Sequence, residues 1–151
     1  MEIERKFLVA EVPELERADA DEVEQGYLAT GAEGEVRVRR IGDRELLTVK
    51  LGSGLAREEA EIELTRDQFE ALWPLTEGRR LRKRRHTIAA GDLEIELDVF
   101  EGPHEGLALA EVEFESEEQA RGFRPPSWFG DEVTGDDAYL NESLAVAGAP
   151  P

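Results

Sequence analysis

Cysteine is absent from this 151-residue chain, which excludes disulfides, thiolate nucleophiles and Cys-ligated metals. Basic residues are few beside acidic ones: 18 Lys and Arg stand against 36 Asp and Glu, for a formal net charge of −18. That balance argues against nucleic-acid binding, which needs a basic surface. No apolar run approaches the roughly 18–20 residues of a membrane-spanning helix, so no membrane partner is expected. The opening Met1-Glu2-Ile3-Glu4-Arg5-Lys6-Phe7 lacks the apolar core of a signal peptide, and a soluble cytoplasmic protein is the expectation. Aromatics reach only 7%, yet 40% of residues are hydrophobic, enough for a core despite 36% charged. The length suits one domain over residues 1–151, with an Ala/Gly/Pro tail over 145–151 expected to fray.

What the chain does have is alternation with the strand period of two. It runs through residues 2–7, 35–39, 46–51, 59–64, 93–99 and 108–115, and two further strands are expected over 23–28 and 81–88. Gly42-Asp43, Gly52-Ser53-Gly54 and Gly91-Asp92 punctuate these runs as turns. Helices are few. Thr65-Arg66-Asp67-Gln68 fits a capping box, Ser116 with Gln119 repeats it, and residues 137–146 form a third candidate. Residues 10–20 hold a short helix or a loop. The expected class is α+β, with many antiparallel strands and a few short helices.

The polar faces of the strands separate by sign. Carboxylates follow one another at every second residue in Glu59-Glu61-Glu63, Glu94-Glu96-Asp98 and Glu111-Glu113-Glu115. Cations do the same at Arg37/Arg39 and at Lys83/Arg85. Neighbours at i and i+2 lie roughly 7 Å apart. Like charges at that distance repel by about 0.6 kcal/mol in bulk water and about 2.4 kcal/mol at an effective dielectric near 20. A solvated face usually mixes signs. Segregated rows suit an enclosed space where cationic and anionic strands face one ligand, and a metal-chelated polyphosphate meets both demands. Cross-strand ion pairing on an open sheet would give the same string, so pattern alone leaves both open.

The charged rows fall within ordered motifs. Glu2-Ile3-Glu4-Arg5-Lys6 carries an E-x-E-x-K arrangement, followed by Gln25-Gly26-Tyr27-Leu28, Val36-Arg37-Val38-Arg39 and Leu47-Thr48-Val49-Lys50. Glu61-Ile62-Glu63, Lys83-Arg84-Arg85, Glu96-Leu97-Asp98-Val99-Phe100 and Glu111-Val112-Glu113-Phe114 come next. The ordered set resembles the CYTH superfamily, the triphosphate tunnel metalloenzymes, over nearly the whole chain. Trp73-Pro74, residues 76–80 and residues 126–134 with Tyr139 and Asn141 resemble its short bacterial inorganic triphosphatases.

The resemblance implies a closed eight-stranded antiparallel barrel with a charged interior and short helices packed outside. It implies hydrolysis of a small triphosphate with Mg²⁺ or Mn²⁺. By resemblance, Lys6, Tyr27, Arg37, Arg39, Lys50, Lys83 and Arg85 contact substrate, and Glu2, Glu4, Glu111 and Glu113 hold metal. Glu2, Glu4, Lys6 and Lys50 are the implied catalytic residues, with Glu61, Glu63, Glu96 and Asp98 as further tunnel carboxylates. Glu35, Glu59, Glu94 and Glu115 are equally well explained as solvated strand positions. His86 and His104 have no partner at metal or triad spacing and are expected to be structural. Trp73, Trp128 and Phe129 are expected to pack helices on the exterior. Leu140 departs from the basic residue that short members often carry beside the C-terminal Tyr, which bears on turnover rate or substrate preference. Adenylyl cyclase, thiamine triphosphatase and a non-catalytic polyphosphate or nucleotide binder are the competing functions. A homodimer is compatible with the sequence, although no apolar stripe demands one.

Overall fold

The computed structural model describes residues 3–52 and 58–148. The strands are β1 (Ile3–Val9), β2 (Asp21–Gly31), β3 (Gly34–Ile41), β4 (Arg44–Leu51) and β5 (Glu58–Glu63), then β6 (Arg80–Ala90), β7 (Leu93–Glu101), β8 (Ala108–Phe114) and β9 (Phe129–Glu132). Short helices accompany them: α1 (Arg66–Leu72), α2 (Glu117–Gly122) and α3 (Asn141–Ala147). All these strands join one antiparallel sheet in the order β5-β4-β3-β2-β6-β7-β8-β1-β9.

Two expectations are corrected. The sheet has nine strands where eight were expected, and among the described residues no ladder joins β5 to the far edge to close it into a barrel. The unforeseen β9 lies along the free side of β1, occupying backbone groups that closure would need. At four residues, beside Pro125 and Pro126, β9 is too short to show a period. The second correction concerns the helices. α1 and α2 cover outward faces, but α3 packs against the inward one.

The alternating pattern explains that placement. Inward positions are charged along the middle of the strands but turn apolar at one end, at Leu8, Tyr27, Leu81, Phe100 and Leu109. Leu144 and Ala145 of α3 bury against this apolar end. The imidazole Nε2 of buried His104 lies 2.6 Å from the Leu144 carbonyl, holding the helix there. The outward faces of β1, β7 and β8 contribute Phe7, Ile95, Ala110, Val112 and Phe114 to a second core, closed by Ala120 of α2 and Phe129 of β9. Phe129 thus enters the sheet core as part of a strand, whereas Trp73 stacks on Phe69 of α1 as expected, with ring centroids 5.2 Å apart.

Local signals hold at the helix starts. Thr65 accepts from the Gln68 backbone N–H while the Gln68 side chain accepts from Thr65 N–H, a complete capping box. At α2 Ser116 caps Gln119, but the Gln119 amide reaches back to Glu115 N–H instead of Ser116. The third candidate breaks at Leu140 into a single 3₁₀ turn over Asp137–Tyr139 and then α3. Residues 10–20 supply only the 3₁₀ turn Arg17–Asp19. Gly42 and Gly91 occupy hairpin turns with φ of 59° and 64°, as the punctuation predicts. Of the Gly52-Ser53-Gly54 turn, Ser53 and Gly54 lie outside the described residues.

Strand β2 deforms where it matters for the site. Its register against β3 shifts between Tyr27 and Ala29, and its pairing with β6 ends at Gly26. Beyond that point Arg79 takes both Tyr27 backbone groups: Tyr27 N–H donates to the Arg79 carbonyl at 3.0 Å and Arg79 Nε donates to the Tyr27 carbonyl at 2.9 Å. The connecting segment comes so close that a Cβ at Gly26 would lie 2.5 Å from Thr76 Oγ1. Thr76 is buried and fixed, its hydroxyl donating to the Trp73 carbonyl and accepting from Arg80 Nε. Gly26→Ala is therefore expected to cost about 1–3 kcal/mol of stability, read as a lowered urea midpoint.

Candidate functional site

The inward face curls around a cavity of ≈ 560 Å³ that takes lining residues from every strand from β1 to β8. Five cations line it: Lys6, Arg37, Arg39, Lys50 and Arg85. Glu4, Glu96, Glu111 and Glu113 form the acidic wall, from neighbouring strands in register: Glu4 lies across from Glu113, and Glu111 lies between Lys6 and Glu96. Glu35, Glu59, the Tyr27 ring and Leu140, Asn141 and Glu142 at the start of α3 complete the lining. A smaller hollow of ≈ 380 Å³ continues from the acidic wall and adds Asp92, Glu94 and Glu115.

On the acidic wall, one carboxylate oxygen from each of Glu4, Glu111 and Glu113 lies within 4.8 Å of the others. Three hard oxygen donors at that spacing fit a divalent cation of the Mg²⁺ or Mn²⁺ kind, and repel one another without it. Lys6 Nζ stands 3.9 Å from Glu111 and donates to the Tyr139 carbonyl at 3.4 Å. Glu96 is half buried; burial first, then the neighbouring Glu111, raises its pKa against the pull of Arg85. Glu2 lies outside the described residues.

The basic wall holds donors without acceptors. Arg37 is buried, yet its Nε has no hydrogen-bond partner among the described residues, and neither does Arg39 Nε. Burial and the adjacent Arg37 lower the Arg39 pKa, with Glu61 opposing at 3.5 Å. Both guanidinium groups line the cavity, while these Nε atoms are buried behind its surface. Lys50 Nζ faces Glu35 at 4.0 Å. Tyr27 is buried, its oxygen accepting from Gln25 Nε2 at 2.8 Å, and burial raises its pKa.

Not every residue singled out in the sequence reaches the cavity. Lys83 is 1% exposed and sits behind the wall, its Nζ donating to Asp98 at 2.8 Å and to Asn141 Oδ1 at 3.3 Å. Asp98 also lies behind the wall, held by Lys83 and Arg85. Glu61 accepts from the Thr48 hydroxyl at 2.9 Å, and Glu63 pairs with exposed Arg44 at 2.9 Å. Conversely, Glu35 and Glu59 line the cavity. Glu35 shares parity with Arg37, a signal the string contained. Gln25 and Arg79, which hold Tyr27, fall within quoted motifs but were not singled out as site residues.

The CYTH domain family matches residues 1–127. The chain belongs to the CYTH family. A protein of Nitrosomonas europaea named inorganic triphosphatase is 49% identical over 148 residues, 97% of each chain. A second inorganic triphosphatase, from Acetivibrio thermocellus, is 37% identical over 145 residues, covering 95% of this chain and 92% of that one. A crystal structure of an inorganic triphosphatase superposes with a TM-score of 0.82 at 46% identity, covering 98% of this chain and 99% of that one. No described helix is long and apolar enough to cross a membrane.

Within this CYTH site the Asp98 carboxyl has a strongly displaced proton equilibrium. Burial alone would raise its pKa, but the Lys83 and Arg85 cations outweigh burial and hold it at about 2, below the ordinary 3.8. A depressed carboxyl stabilises the fold above its unfolded pKa and loses that contribution as pH falls through the folded one. Roughly 2 kcal/mol of stability is therefore expected to disappear between about pH 4 and pH 2. Asp98→Asn, followed by urea unfolding at stepped pH, is expected to start less stable at pH 7 and to lack that component of the acid decline.

Proposed function

We propose that this CYTH protein hydrolyses inorganic triphosphate to pyrophosphate and phosphate. The observation that carries the proposal is the placement, across one cavity, of the Arg37 and Arg39 guanidinium groups opposite the convergent Glu4, Glu111 and Glu113 carboxylates. One wall asks for an anion and the other for a cation, and a metal-bound triphosphate is both. The two relatives named inorganic triphosphatase support the same substrate. Apart from Leu140 and the Tyr27 ring, every lining side chain is polar, so a nucleobase or thiamine ring finds little apolar surface.

The residues divide the work by charge. Arg37 and Arg39 hold phosphate oxygens through their planar guanidinium groups, Arg85 adds the Nη1 that its Asp98 pairing leaves on the cavity side, and Lys6 and Lys50 supply point charges that stabilise the developing negative charge. Glu4, Glu111 and Glu113 would hold the divalent cation, with Glu2 proposed as a further ligand. A bound Mg²⁺ or Mn²⁺ would supply charge neutralisation at phosphate oxygens and acidify nearby water. A water oxygen forms the new bond to a terminal phosphorus and the bridging P–O bond breaks. Pyrophosphate leaves and the released proton passes to solvent. The chain forms no covalent bond, because phosphoryl transfer needs mainly positioning and charge neutralisation. Lys83 and Asp98 support the basic wall from behind, and the protein works as a single-domain cytoplasmic enzyme.

Phosphate release from tripolyphosphate, ATP and thiamine triphosphate, with a tag-free N-terminus, tests the assignment. Tripolyphosphate is expected to be the preferred substrate, with activity lost on chelation and restored by Mg²⁺ or Mn²⁺. Lys6→Ala and Glu4→Ala are each expected to lose about a hundredfold or more in kcat/KM. Full activity in either variant, or full activity in chelator, overturns the mechanism. Tight binding without phosphate release would identify a binding module instead.

A further inference from the structure

We propose that Asp98 is a positioning residue that aims the Arg85 guanidinium into the cavity from behind its wall. The role rests on the triphosphatase function proposed above, and extends it to a residue that does not itself meet the substrate.

In sequence, Glu94, Glu96 and Asp98 form one uniform acidic row. The structure gives the three different surroundings. Glu94 lines the smaller hollow, Glu96 lines the main cavity, and Asp98 lines neither. Asp98 stands directly across from Arg85 in the β6–β7 ladder. Being one methylene shorter than its neighbours in the row, it keeps its carboxylate close to the sheet. There Oδ1 accepts from Arg85 Nε at 2.8 Å and Oδ2 accepts from Arg85 Nη2 at 3.0 Å. A two-point bond of this kind fixes the plane of a guanidinium as well as its position.

The remaining nitrogen, Nη1, points to the cavity side, where it pairs with Glu96 of the wall at 3.2 Å. Arg37 and Arg39 differ: their Nε atoms have no partner among the described residues, so no carboxylate there grips them by the same edge. Without Asp98, Arg85 would be free to turn its fork onto the acidic wall, where Glu96 and Glu111 attract it. Lys83 completes the device. Its Nζ shares Asp98 Oδ2 at 2.8 Å and reaches Asn141 Oδ1 on α3, so the anchor is tied to the helix that closes the apolar end. Asp98 therefore serves substrate recognition through Arg85, and stands apart from the Glu4, Glu111 and Glu113 group.

The test compares Asp98→Asn, Arg85→Lys and the double variant by steady-state kinetics on tripolyphosphate and by calorimetric binding of tripolyphosphate. Lysine at 85 keeps the charge but cannot form the fork. Each single variant is expected to raise KM and weaken binding about tenfold while kcat stays within about threefold. The double variant is expected to be no worse than the poorer single, because both changes remove the same contact. Unchanged KM in Asp98→Asn, a fall in kcat at constant KM, or multiplied effects in the double variant each overturn the proposal. If Asp98→Asn does not fold, Arg85→Lys, which leaves the Lys83–Asp98 pair in place, decides alone, and an unchanged KM overturns. Should the natural protein bind tripolyphosphate without hydrolysing it, weaker binding in the variants upholds the positioning role and only the triphosphatase function falls. A natural protein that neither binds nor hydrolyses overturns both.

Discussion

Charge turned inward is the constraint on which the rest of the architecture depends. A sheet that points Arg37, Arg39, Lys50 and Arg85 toward Glu4, Glu111 and Glu113 must solvate those groups with one another, with water or with a ligand. The electrostatics are only partly satisfied by the protein itself. Asp98 pairs with Lys83 and Arg85 at hydrogen-bond distance behind the wall, whereas Arg37 and Arg39 line the cavity opposite three converging carboxylates. That arrangement of the two signs matches the charges of a metal-bound triphosphate. Stability and function thus draw on the same set of side chains in different proportions.

That constraint also decides where the apolar groups can go. With charge on the concave side, the outward faces of β1, β7 and β8 need cover, and α2 and β9 supply it. The inward face is apolar only at the end where Leu8, Leu81, Phe100 and Leu109 meet, and α3 closes that end. The same helix brings Asn141 to Lys83 and sets Leu140 and Glu142 into the cavity lining. A hydrophobic contact at one end of the sheet therefore shapes the polar site in its middle.

Much of this was legible in the string. Period-two runs locate six strands because a half-buried strand must alternate, two more were expected beside them, and charges alternating in the same frame mark one face as charged. Parity also separates Lys83 and Arg85 from Arg82 and Arg84. Other features had no local signature. β9 is too brief to show a period. At α2 the Ser116 cap was readable, but the Gln119 amide bonds Glu115 N–H, one residue earlier than a capping box specifies. The residue types at a cap do not say which of two adjacent backbone N–H groups the side chain meets. Glu35 was visible as an inward position, but nothing local distinguished a cavity-lining carboxylate from a solvated one.

The sequence by itself determined β1 to β8, which side chains share a face and the sign of charge each strand contributes, since these follow from side-chain alternation along a single segment. Tertiary structure alone decided that β9 lies on the free side of β1, that α3 enters the concave end, and that Asp98 lies behind the wall while Glu96 lies on it. Those outcomes depend on depth and on contacts between segments far apart in the chain. A residue's parity fixes the direction of its side chain, but how far it reaches toward a shared space depends on what packs beside it.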